Sequence, residues 1–152
     1  MTRSEKAKEF FDKGCNCSQA VVLAFSDCID IPKESLLKIS SSFGGGFGRL
    51  REVCGAFSGI CIVLGYLLGY DNADNQNKME HYANVRLLAE RFKEKNGGSY
   101  ICRELIEGTE NLSNENPAIR SSEYKEKRPC SEIVANAAEI LQEFLIEKGL
   151  KI

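Results

Sequence analysis

Apolar residues recur at intervals of three and four along most of this chain, and no stretch alternates strictly, so the pattern predicts helices throughout. Residues 4–13 read as a short helix closed by Gly14, a residue suited to a left-handed terminator. Asn16 is placed to cap a second helix, with Gln19 at the capping-box position and Ala20, Val21, Leu23, Ala24 and Phe25 as its apolar surface. After the break at Ile31-Pro32, residues 33–43 form a third helix with Leu36, Leu37 and Ile39 facing inward. Residues 53–70 are apolar on all sides, which marks a buried central helix. Residues 74–95 are long and amphipathic, with a stripe of Met79, Tyr82, Val85, Leu88, Ala89 and Phe92. Gly97-Gly98 closes that helix, and Ser99 is expected to cap a short one through Cys102, Leu105 and Ile106. Pro129 then opens a last helix ending near Lys148.

Two segments interrupt this series. Residues 43–49 carry four glycines and cannot continue a helix cheaply. Residues 108–128 are polar, contain Pro117, and read as a long loop with a short helical turn, a length often tied to function. No linker, long repeat or low-complexity tract divides the chain. The expectation is one all-α domain over residues 1–152, a compact multi-helix bundle around the helix at about residues 53–70.

A chain of 152 residues is long enough to bury a sizeable core. The net charge of -2 and the lack of a Lys/Arg tract argue against nucleic acid as a partner. The polar N-terminus has no signal-peptide core, so a cytoplasmic protein is expected. The apolar run 53–70 only just reaches the lower limit for a membrane span. Gly55 and Gly59 have a close-packing spacing used in membranes, but amphipathic neighbours favour a soluble bundle, and no membrane span is expected.

Seven cysteines change the picture. The count is odd, no Cys-x-x-Cys occurs, and Cys17, Cys54, Cys102 and Cys130 each fall where a helix is expected to begin. A helix N-terminus carries unpaired N–H groups and about half a positive charge, which stabilises a thiolate. Such placement lowers a cysteine pKa from about 8.5 to roughly 3.5–7.5. Cys28 and Cys61 lie inside or at the far end of apolar stretches and read as packing residues. Cys54 is the expected attacking sulfur, because Arg49 and Arg51 precede it, although Glu52 opposes them. The glycine loop fails the dinucleotide fingerprint at Arg49, so a tight turn is the first reading. The functional alternative is a cofactor-pocket lining made by Gly44, Gly45, Gly46, Arg49 and Gly55. His81, the single histidine, reads as solvated or packed, and Glu104 and Glu107 as a solvated face.

The segments Asn16-Cys17-Ser18-Gln19-Ala20-Val21, Phe43-Gly44-Gly45-Gly46-Phe47-Gly48-Arg49, Cys54-Gly55-Ala56-Phe57-Ser58-Gly59, Cys102-Arg103-Glu104-Leu105 and Cys130 resemble, in order, the redox-active protein family named for its pattern C_GCAxxG_C_C. The resemblance implies that Cys17, Cys54, Cys102 and Cys130 are the pattern cysteines of a small cytosolic redox protein. Cys15, Cys28 and Cys61 fall outside the pattern, and Ser18 stands where alanine is expected.

Four converging thiolates would repel one another in a low-dielectric site. The sulfurs therefore oxidise in pairs, hold a cation, or stay neutral, and four cysteines leave three pairings open. The first arrangement is a cofactor-free thiol–disulfide oxidoreductase acting on a redox partner protein or a small oxidant. The second is a carrier whose metal ligands are Cys17, Cys54, Cys102 and Cys130, holding an iron–sulfur cluster or zinc. The third is a helical binding module whose cysteines only pack.

Overall fold

Thr2 accepts a hydrogen bond from the Glu5 N–H while the Glu5 carboxylate accepts from the Thr2 N–H, and this reciprocal cap opens α1 (Arg3–Asp12). The structure is a computed structural model that describes residues 1–109, 112 and 120–152, the Lys125 side chain excepted. Asn16 and Gln19 repeat the device at α2 (Cys17–Leu23), as the sequence predicts. α3 (Lys33–Ser40) follows Pro32 and tightens into a 3-10 turn at Ser41–Phe43. α4 (Gly44–Phe47) is a single distorted turn in which Gly45 and Gly46 take φ of 68° and 70°. The remaining helices are α5 (Gly55–Leu68), α6 (Asn75–Lys95), α7 (Cys102–Leu105), α8 (Ser122–Lys127) and α9 (Cys130–Glu147).

The fold is all-α. Among the described residues the nearest thing to a sheet is one isolated antiparallel bridge between Val53 and Ile101. α1 lies on α9 and α2, α2 lies on α5, and α6 lies on α9. Phe11, Phe25, Phe92 and Phe144 fill the interior with Leu36, Ile60, Leu64, Leu88, Leu141 and Leu145. Each fully buried side chain of this kind contributes about 1.5–3 kcal/mol of transfer free energy.

α2 is buried over Ser18 and Ala20 to Leu23 because α5 approaches it almost backbone to backbone. A Cβ on Gly59 would stand 2.9 Å from the Ser18 carbonyl oxygen and from Val21 Cβ. One on Gly55 would stand 2.7 Å from the Phe43 carbonyl oxygen and 3.2 Å from Cys17 Cβ. The Gly-x-x-x-Gly spacing thus serves a helix crossing inside the bundle. Among the described residues no helix is long and apolar enough to cross a membrane.

Several local expectations change, among them Ile39, which is 49% exposed where an inward-facing residue is expected. The central helix begins at Gly55 because the chain before it pairs with residues 100–102 instead: the Cys54 N–H reaches the Tyr100 oxygen at 2.8 Å, and the Cys102 N–H reaches the Glu52 oxygen at 2.6 Å. In the α6 stripe only Leu88 and Phe92 are buried, while Met79 and Tyr82 are exposed; periodicity fixes a face but not what covers it. Ser99 sits too early to cap α7, whose N-cap is Ile101; its hydroxyl instead accepts from the Ile101 N–H and donates to Glu104. The expected turn in the polar segment is α8, opened by Ser121, whereas Pro117 lies outside the described residues.

Candidate functional site

Each of the four singled-out cysteines stands at a helix start. Cys17 is the first residue of α2, Cys102 of α7 and Cys130 of α9, while Cys54 is the N-cap of α5. All four line one cavity of about 20 Å³, together with Gly45, Gly55, Leu105, Ile106 and Ile133. Three packing relationships bring them together. The glycine crossing holds α2 against α5, the Val53–Ile101 bridge fastens the start of α7 beside the start of α5, and α9 packs on α1, α2 and α5.

The glycine loop forms the cavity's remaining edge. A Cβ on Gly46 would lie 2.8 Å from Cys102 Cβ and 2.6 Å from the Glu52 nitrogen, at a φ of 70°. Only glycine lets the backbone pass there. Phe47, Arg49 and Arg51 also take φ of 66°, 69° and 63°, conformations that cost about 1–2 kcal/mol for an L-residue. The turn is held by N–H groups of Arg49, Arg51 and Glu52 donating to the carbonyls of Gly44, Gly45 and Gly46. Of the suggested loop residues, Gly45 and Gly55 line the cavity. Gly44 and Gly46 back it against Asn16 and Cys102, and Arg49 is exposed and outside the lining.

Cys17, Cys54 and Cys130 differ sharply in acidity. Cys17 donates its hydrogen to the Cys130 sulfur; that bond, burial and the neighbouring sulfurs raise the Cys17 pKa well above its ordinary value. Cys130 is drawn down to about 7, first by the Cys17 hydrogen bond, then by one from Tyr124 and by the charges of Arg128 and Arg120, against the opposing effect of burial. Burial pushes Cys54 up to about 12, although the Ala56 and Phe57 N–H groups favour its thiolate. The helix-start effect expected at Cys54 is present but smaller than the cost of desolvation. Arg51 Nη1 donates to the Cys102 sulfur at 3.6 Å. The acidity order of Cys54 and Cys130 thus runs opposite to the one that the neighbouring Arg49 and Arg51 suggest.

Tyr124, Arg120 and Arg128 are site residues that the sequence reading passed over. Arg120 donates to the carbonyls of Phe11 at 2.7 Å and Cys15 at 3.0 Å and lies 3.9 Å over the Phe11 ring. It thereby anchors the segment carrying Tyr124 to the end of α1. Arg128 lies 4.8 Å over the Tyr124 ring and donates to the Thr109 carbonyl at 2.6 Å. The one signal in the sequence is the spacing of four that separates Arg120, Tyr124 and Arg128 within a polar stretch.

The other candidates lie elsewhere. Cys28 receives the Arg3 guanidinium at 3.2 Å, Cys61 is pushed up to about 11 by burial, and Cys15 is half-buried; none of them lines the cavity. His81 packs its ring edge-on to Tyr70 at 5.9 Å, away from the cysteines. Among the described residues no group of three or more His, Cys, Asp or Glu side chains is arranged to hold a metal ion.

The family model described as "Putative redox-active protein (C_GCAxxG_C_C)" matches residues 15–144. An uncharacterized protein of Archaeoglobus fulgidus is 28% identical over 149 residues, covering 92% of this chain and 93% of its own. No solved structure matches.

Proposed function

The chain belongs to the C_GCAxxG_C_C family, whose description is redox activity, and from that premise we propose that it works by thiol–disulfide chemistry at Cys17, Cys54, Cys102 and Cys130. The observation that carries the reading is the hydrogen-bonded pair Cys17–Cys130 on the wall of a cavity shared by all four cysteines. Cys130, the more acidic partner, attacks one sulfur of a substrate disulfide. The substrate S–S bond breaks and its other half leaves as a thiolate. Cys17 then loses its proton and attacks the Cys130 sulfur of the mixed disulfide, which closes a Cys17–Cys130 bond and releases the second thiolate. Two electrons pass from the protein to the substrate, and the Cys17 proton goes to a leaving thiolate.

The test is stopped-flow reaction of the reduced protein with an aromatic disulfide that releases a coloured thiol. Cys130→Ser is expected to lose the fast phase, Cys17→Ser to stop at the mixed disulfide, and Cys54→Ser to keep the fast phase. A Cys130→Ser variant that reacts as fast as the parent overturns the assignment.

A further inference from the structure

The cavity has a property that disulfide exchange leaves unused. Its volume of about 20 Å³ exceeds the roughly 10–15 Å³ that one water needs, so it admits a single small body. Its walls are four thiols, Gly45, Gly55, Leu105, Ile106 and Ile133, with no oxygen- or nitrogen-bearing side chain among them. A hard oxygen species entering such a space gives up hydrogen bonds to water that weak thiol donors replace poorly. A soft, polarisable atom loses little there and gains contact with sulfur and aliphatic surface. The metal version of a soft guest lacks a ligand geometry among the described residues.

We infer that the cavity receives one sulfane sulfur atom, carried on Cys130 as a persulfide, and that the substrate class is a hydropolysulfide or a small persulfide. The inference rests on the thiol–disulfide reading of the same site and narrows its substrate. Cys17 and Cys130 are half-buried, whereas Cys54 and Cys102 are each 6% exposed, so delivery falls to the more open pair and the buried thiols face the delivered sulfur. In the first step the Cys130 thiolate attacks the terminal sulfur of the polysulfide. A Cys130 S–S bond forms, the polysulfide S–S bond breaks, and the shortened chain leaves as an anion while the transferred sulfur keeps its proton. In the second step the Cys17 sulfur attacks the Cys130 sulfur. A Cys17–Cys130 disulfide forms, the outer sulfur departs carrying the electron pair, and with the Cys17 proton it leaves as hydrogen sulfide. Two thiols are oxidised and one sulfur is reduced to sulfide.

The experiment treats the reduced full chain with sodium tetrasulfide and follows intact mass, peptide mass and released sulfide. Cys17→Ser is expected to gain one sulfur atom on Cys130, while the parent releases sulfide and ends with the Cys17–Cys130 bond. Cys130→Ser is expected to do neither. Leu105→Phe, which fills the cavity from a half-buried wall position, is expected to slow sulfur uptake about tenfold, ~1.4 kcal/mol of barrier. If the aromatic disulfide reacts at Cys130 but Cys17→Ser gains no sulfur, the inference falls and disulfide exchange stands. If neither reagent reacts, the exchange reading falls as well. Hydrogen peroxide oxidising Cys130 faster than tetrasulfide delivers sulfur also overturns the sulfur assignment.

Discussion

Cys17 donates its thiol hydrogen to the Cys130 sulfur, and this one contact moves the two acidities in opposite directions. The donor becomes harder to ionise and the acceptor easier, so a pair of identical side chains acquires an order of reaction. The helix starts beneath both sulfurs set where they sit; in the proposed exchange the hydrogen bond sets which one attacks.

Alkylation of the reduced protein should follow Cys130. Its pKa is lowered from 9.0 to about 7, so the thiolate prevails above about 7 and is lost as the pH falls through that value. Iodoacetamide is expected to show one fast phase with a midpoint near 7 that Cys130→Ser removes. Stability carries the same sign. Between about 7 and 9.0 the unfolded chain holds more protons on Cys130 than the folded one, so this thiol's contribution rises with pH and vanishes below the window. Above 9.0 buried Cys54, held at about 12, works the other way because its folded form stays protonated. Urea midpoints of parent and Cys130→Ser, compared across this range, check the sign.

Tyr124→Phe removes a hydrogen bond to the Cys130 sulfur. A hydrogen bond to a charged group is worth about 1.5–3 kcal/mol. At 1.36 kcal/mol per pH unit, the alkylation midpoint is expected to rise by about one to two units. A midpoint that stays in place removes Tyr124 from the site.

Two glycines of one loop should respond differently to alanine. Gly46 and Gly48 both have positive φ, at 70° and 59°, but a Cβ on Gly46 meets the Glu52 nitrogen at 2.6 Å while one on Gly48 meets nothing within 4 Å. Gly48→Ala carries only the left-handed penalty, about 1–2 kcal/mol. Gly46→Ala adds a backbone clash and should lose more than that and disturb Cys102 reactivity. Chemical denaturation together with Cys102 labelling tests both effects.

Ser18 is fully buried, and its hydroxyl has no hydrogen-bond partner among the described residues. An unpaired buried hydroxyl costs about 1–3 kcal/mol. Ser18→Ala is expected to stabilise the protein by about 1 kcal/mol and to leave Cys130 alkylation unchanged. A loss of stability on this substitution would mean that the hydroxyl is satisfied in solution.

What the sequence disclosed and what it withheld divide along range. Asn16 with Gln19, and the helix starts at Cys17, Cys102 and Cys130, rest on neighbours within one turn and were legible. The Val53–Ile101 bridge involves too few residues to show alternation, so the apolar run alone puts the start of α5 at 53 instead of Gly55. The acidity order of Cys54 and Cys130 is hidden in the sequence for a similar reason. Charge close by in the chain was visible, but desolvation and the partners Cys17 and Tyr124 come from tertiary packing. Met79 and Tyr82 kept the rhythm of a packed helix while remaining uncovered.

The close passage of α5 over α2 at Gly55 and Gly59 has a mechanical corollary. Two backbones that nearly touch leave no slack for sliding, so Cys17 and Cys54 travel as one rigid block.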